Sequence, residues 1–130
     1  HVISNPPYRS ADRGQRSPDP ARTAAHSITD ADFDAWLAFC TARVRGKGTL
    51  SLVLPAGEMS RAVAVIEPRL GGLTVLPLWP KQGAEARRVI LQARRGGRAP
   101  SRLLPGLVLH AEDGRYTPEA EQVLRHGAPL

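Results

Sequence analysis

The chain opens on His1-Val2-Ile3-Ser4 and runs at once into Asn5-Pro6-Pro7-Tyr8, a junction that limits the possible fold more than any other stretch. Val2 and Ile3 are β-branched and suit a buried strand. Pro6 and Pro7 lack an N–H and fix φ, so no central strand can continue beyond Ser4. Each residue before a proline is pushed towards extended backbone, which stiffens Asn5 and Pro6. The expected result is a rigid lip at the carboxyl end of a strand, where open α/β sheets bind their ligands.

The atoms of that lip suggest a chemistry. Asn5 carries a neutral amide oxygen, and Pro6 a backbone carbonyl. Two acceptors converging on one point suit an exocyclic NH2 group, whose lone pair is otherwise delocalised into its ring. Hydrogen bonds to both protons favour the pyramidal amine that can attack a methyl group. Tyr8 adds a flat face for an unstacked base.

Further along, helical and strand signals alternate. Thr29 with Asp32 has the form of a capping box, and Asp30 and Asp34 suit the positive end of a helix dipole. Phe33, Trp36, Leu37, Cys40 and Val44 form one apolar stripe of a helix that Arg43 and Arg45 close and Gly46 to Gly48 end. Thr49 to Leu54 reads as a strand. Met59, Ala62, Val63, Ile66 and Leu70 repeat the helical spacing, so a second helix is expected from about Glu58 to Glu67, stopped by Pro68. Leu73 to Leu78 and Arg88 to Ala93 follow as strands. Residues 79 to 87 between them are too few for a parallel crossover, so the last strand must be antiparallel to its neighbour. The pattern predicts a layered α/β fold with helices on the faces of the sheet. The tail carries Leu107 to His110 as a short strand, a turn at Asp113-Gly114, and a helix with Thr117 as N-cap, Pro118 at its first position and Gly127 as C-cap.

Composition narrows the partner. In 130 residues, 18 Lys and Arg stand against 12 Asp and Glu, a net charge of +6, which favours an anionic partner, above all nucleic acid. Much of that excess sits in Lys81, Arg87, Arg88, Arg94, Arg95, Arg98 and Arg102, with Glu85 as the single acid among them. Lys81 and Arg87 at the end of the hairpin are the strongest candidates for phosphate contacts, followed by Arg88. Arg22, in the stretch 9–28 that has neither helical nor strand period, is a further one, able alternatively to hold that loop through Asp19. Trp79 ends an apolar strand and reads as core first and as a base-stacking surface second. The lone cysteine, Cys40, excludes a disulfide framework, no Cys/His spacing fits a metal site, and no apolar run has membrane-spanning length. A cytoplasmic protein is expected.

The Asn5-Pro6-Pro7-Tyr8 tetrapeptide after a hydrophobic strand resembles motif IV of the S-adenosylmethionine-dependent amino-methyltransferases, which modify adenine N6 or a glutamine side-chain amide. Ser17 to Arg22 (SPDPAR), Trp79 to Gly97 (WPKQGAEARRVILQARRGG) and Leu107 to Arg125 (LVLHAEDGRYTPEAEQVLR) extend the likeness over nearly the whole chain. Together they resemble the C-terminal half of the tRNA adenine-N6 methyltransferases that act on tRNA(Val) beside the anticodon.

The resemblance implies a Rossmann-like class I methyltransferase sheet with its last strand reversed, S-adenosylmethionine as cofactor and tRNA as substrate. It implies that Asn5, Pro6, Pro7 and Tyr8 form the catalytic lip, with Asn5 also facing the cofactor. Residues 1–98 would be the second half of the methyltransferase domain, and 99–130 a tail. Such an enzyme needs a strand, a Gly-rich turn and an acidic residue about 20 positions later for its cofactor. Neither Gly71-Gly72 nor Gly96-Gly97 fits that turn, so the chain is expected to be a C-terminal fragment of a longer protein, inactive alone. A glutamine methyltransferase of translation release factors, a ribosomal RNA methyltransferase, and a non-catalytic nucleic-acid-binding remnant are the alternatives.

Overall fold

The computed structural model describes residues 1–6 and 30–130. Pro7, Tyr8, Arg22, the 9–28 stretch and the Thr29 half of the capping box lie outside the described residues. The elements run β1 (Val2–Ser4), α1 (Asp30–Arg43), β2 (Thr49–Pro55), a 3-10 turn (Ala56–Glu58) and α2 (Met59–Ile66). They continue with β3 (Gly71–Trp79), β4 (Arg88–Arg94), β5 (Arg102–Leu103), β6 (Leu107–Val108) and α3 (Pro118–His126).

One sheet collects all six strands in the order β1-β2-β4-β3-β5, with β6 also pairing β3. β1 and β2 are parallel, joined through α1. β4 is antiparallel to both its neighbours, β2 and β3, as the short 79–87 connection requires. The chain thus returns from β3 to place β4 between β2 and β3. β5 and β6 pair with β3 in parallel, at Thr74↔Arg102 and Trp79↔Val108, so the residues after 98 widen the same sheet.

Alternation along the strands builds the core. Leu50, Leu52 and Leu54 pair across the ladder with Ala93, Leu91 and Val89, and all six are buried. Phe33, Leu37, Cys40 and Val44 of α1 and its end, with Ala62, Ile66 and Leu70 around α2, close over this row in one cluster. Each fully buried Leu or Ile contributes about 1.5–3 kcal/mol relative to exposure. Both helices therefore cover the same face, where the sequence leads one to expect helices on either. The opposite face carries Ile3, Ser51, Val53, Ile90 and Gln92.

Two residues depart from their expected burial for that reason. Ile3 points away from the helices on a strand that pairs only with β2 among the described residues, and it is 82 % exposed. Trp36 lies at the margin of the α1 stripe and is 38 % exposed, whereas Phe33, Leu37 and Cys40 beside it are buried.

The two glycine doublets have a packing role. A Cβ on Gly71 would collide with the carbonyl of Gly97, and one on Gly97 with the carbonyl of Gly71, so two backbones cross where only glycine fits. α3 forms as its caps predict: Thr117 Oγ1 accepts from the Ala120 N–H at 3.1 Å, and Gly127 takes a left-handed φ of 68°.

Candidate active site

Strand direction decides which residues share an edge. β1, β2 and β3 are mutually parallel through β4, so their carboxyl ends lie together, and the amino end of β4 lies with them. Asn5 and Pro6, the 3-10 turn after β2, and the 80–87 loop between β3 and β4 therefore all meet at one edge of the sheet. Pro55 and Leu78 both stand opposite Arg88, which fixes the level of the hairpin loop against the end of β2. The Ala56 N–H donates to the Arg87 carbonyl at 3.0 Å and ties those two connections together.

The lip itself is exposed at Asn5 and buried at Pro6. Its strand is held from below: Trp36 Nε1–H donates to Ser4 Oγ at 3.1 Å, and Val2 packs on the core. Cys40 sits beneath Ser4. Burial pushes its thiol pKa up, and a hydrogen bond with Ser4 acts in the opposite direction. A thiol so placed remains protonated and is a poor nucleophile.

The cations divide between two edges. Lys81, Arg87 and Arg88 are exposed at the carboxyl edge with the lip. Arg94 and Arg95 stand at the opposite end of β4, where Thr49 is the partner of Arg94. Arg95 is half-buried and turned inward: its guanidinium donates to the carbonyls of Thr41 and, at 2.7 Å, of Val44. It caps the carbonyls at the end of α1, of which that of Thr41 also accepts the Val44 N–H at 3.3 Å, so its charge belongs to the fold. Arg94 donates to the Lys47 carbonyl at 3.1 Å.

Trp79 is a packing residue. Its Nε1–H donates to the Pro105 carbonyl at 3.1 Å, and a Cβ on Gly106, which has φ +92°, would run into the indole. Among the described residues no group of three His, Cys, Asp or Glu side chains is arranged to hold a metal ion. No described helix is long and apolar enough to cross a membrane.

A carboxyl-edge lip on a parallel strand pair, with a reversed strand inserted beside it, is part of a Rossmann-like α/β fold. The crystal structure of a predicted O-methyltransferase from Agrobacterium tumefaciens has a similar fold, with a TM-score of 0.70 over 78 % of this chain and 50 % of its own, at 24 % identity. In sequence, the chain is homologous to the tRNA1(Val) (adenine(37)-N6)-methyltransferase of Aeromonas salmonicida, 32 % identical over 118 residues. The Aeromonas hydrophila protein of the same name is 31 % identical over the same length. These matches take in 89 % of the chain, which spans 48 % of each relative's length. No protein-family model matches the chain.

Proposed function

We propose that this chain is the substrate-recognising half of an S-adenosylmethionine-dependent methyltransferase that modifies the N6 amine of an adenine in RNA, with tRNA as the substrate. The observation that carries the reading is the shared edge: the Asn5-Pro6 lip and the cations Lys81, Arg87 and Arg88 lie at the same end of the sheet. A basic surface beside an amine-binding lip suits RNA better than a release-factor protein, and the names of the Aeromonas relatives point the same way.

In this reading the target adenine is first turned out of its loop, because RNA bases are read when unstacked. The Asn5 amide oxygen and the Pro6 carbonyl accept hydrogen bonds from its amine, hold the nitrogen pyramidal and direct its lone pair. Pro7 fixes the backbone of the lip, and Tyr8 stacks on the base. S-adenosylmethionine, when bound, supplies the electrophilic methyl group. Asn5 is the contact this chain makes towards it, and the remainder of its site belongs to a further part of the protein. The amine proton leaves to water once the new N–C bond has formed, so no side-chain base is required. The protein works in the cytoplasm.

The test is methyl transfer from labelled cofactor to unmodified tRNA by the full-length protein. Asn5→Ala should lower the rate by about 10²–10³-fold, the scale for losing one preorganised polar contact. The affinity for tRNA should stay within about twofold. Turnover near the wild-type rate would remove Asn5 from the mechanism and the reading with it.

A further inference from the structure

The tail after β6 does more than widen the sheet. Beyond Val108 it continues past the carboxyl edge, alongside the chain leaving β3: the Leu109 N–H donates to the Trp79 carbonyl at 2.8 Å and that of His110 to Pro80 at 3.1 Å. It then turns tightly over Ala111–Gly114 and returns, with Thr117 N–H on the Leu109 carbonyl at 2.9 Å. This small hairpin stands at the edge that holds the lip. Four inter-strand spacings separate β1 from β6, which pairs the outer edge of β3, roughly 19 Å.

Its two arms meet in a ring pair. His110 and Tyr116 form a bridge, and their rings stack with centroids 4.8 Å apart and planes 22° from parallel. Tyr116 is 44 % exposed. His110 lies beneath it with Nδ1 buried and without a hydrogen-bond partner among the described residues. The unsatisfied Nδ1 gives the imidazole no hydrogen bond there, and its stacked face is the contact that it makes with Tyr116. Charges of both signs flank the pair, Lys81 and Arg115 against the exposed Glu112 and Asp113. The Lys81 Nζ donates to the Glu112 carbonyl at 3.4 Å, which brings its ammonium beside the hairpin. The nearby Asp113 carboxylate accepts from the Arg115 N–H at 2.9 Å and faces the Arg115 guanidinium at 3.7 Å, which offsets its charge.

An exposed aromatic ring with a backing ring and a neighbouring ammonium is the combination by which proteins hold single-stranded nucleotides. We propose that the 109–117 hairpin is a second RNA-contact element: a base near the target nucleotide stacks on Tyr116, supported by His110, while Lys81 takes a phosphate. The inference rests on the RNA reading given above and adds a surface to it.

The experiment measures binding of unmodified tRNA transcript to the full-length protein by fluorescence anisotropy, for the wild type, Tyr116→Phe and Tyr116→Leu. Tyr116→Phe keeps the ring and should bind within twofold of wild type. Tyr116→Leu should bind about 5–150-fold more weakly, corresponding to ~1–3 kcal/mol for one stacked base at tenfold per about 1.4 kcal/mol. The salt dependence should not change, because no charge is removed. Circular dichroism melting identifies a variant that has failed to fold, and His110→Leu, which removes the support and leaves Tyr116 in place, then serves in its stead with the same expected direction. A folded Tyr116→Leu protein that binds like wild type overturns this inference and leaves the Asn5 reading intact. Equal losses for Phe and Leu overturn stacking in favour of a contact through the hydroxyl. A wild type that binds a release factor and no tRNA overturns both readings.

Discussion

Trp36 and Ser4 are joined across the first crossover: the indole N–H donates to Ser4 Oγ at 3.1 Å, one residue before Asn5. The helix that follows the lip therefore holds the strand that presents it. Because Ser4 is also in contact with the buried Cys40, the hydroxyl is fixed from two positions one turn apart on α1.

Trp36→Phe deletes the donor and keeps an aromatic ring, smaller than the indole. Stability should fall by about 0.5–1.5 kcal/mol, the net value of one hydrogen bond. The methyl-transfer rate should fall while the KM for tRNA holds, since the lip loosens and the basic loop does not. A double-mutant cycle with Ser4→Ala checks the coupling. Additive effects on rate would show that the two side chains act separately.

Lys81 and Arg87 are exposed at the lip's edge and should act through phosphates. Replacing either with Ala should weaken tRNA binding at low salt. Each lost phosphate contact should also flatten the slope of log K against log salt by roughly 0.7–0.9. A salt titration of the two variants against wild type reads both effects at once.

Arg95 should behave in the opposite way. Its guanidinium holds the Thr41 and Val44 carbonyls at the end of α1. Arg95→Met should cost about 1.5–3 kcal/mol in urea unfolding, the range for hydrogen bonds to a charged group. The salt slope of tRNA binding should not move.

Asp34 gives a pH signature. Arg61 hydrogen-bonds its carboxylate at 2.7 Å and holds its pKa below the usual carboxylate value. A depressed carboxyl pKa stabilises the fold at any pH above its unfolded value, near 3.9, and loses that contribution as the pH falls through the folded value. The difference in melting temperature between wild type and Asp34→Asn should therefore be constant from pH 7 to about 5 and shrink below about 4.

Much of the scaffold was legible in local signals. The 79–87 connection forces an antiparallel return, and β4 takes it. Pro68 stops α2 close to where proline must, and Thr117, Pro118 and Gly127 bound α3 as their backbone chemistry dictates. The end of β1 at Ser4 was legible too, because a proline two residues on leaves no ladder to continue. What could not be read was long-range. Arg95 is indistinguishable in sequence from Arg94 and Arg98, and its role appears only when the end of β4 meets the end of α1, more than 50 residues earlier in the chain. The same holds for Trp36, which has a core residue's spacing and a margin residue's exposure.

The sequence by itself determined where the longer strands and helices lie, most of the apolar positions that face the core, and that the first strand ends before Asn5. These follow from backbone sterics, capping and periodicity, all of which act within a few residues. Only the tertiary structure decided that β4 enters between β2 and β3, that both helices cover one face, and that the tail turns back beside the 80–87 loop. Those outcomes depend on which apolar faces bury each other and which carbonyls find donors, and such pairings join residues far apart in the chain. The shared edge of Asn5, Lys81, Arg87 and the His110–Tyr116 pair is therefore a property of the sheet order and of no local motif.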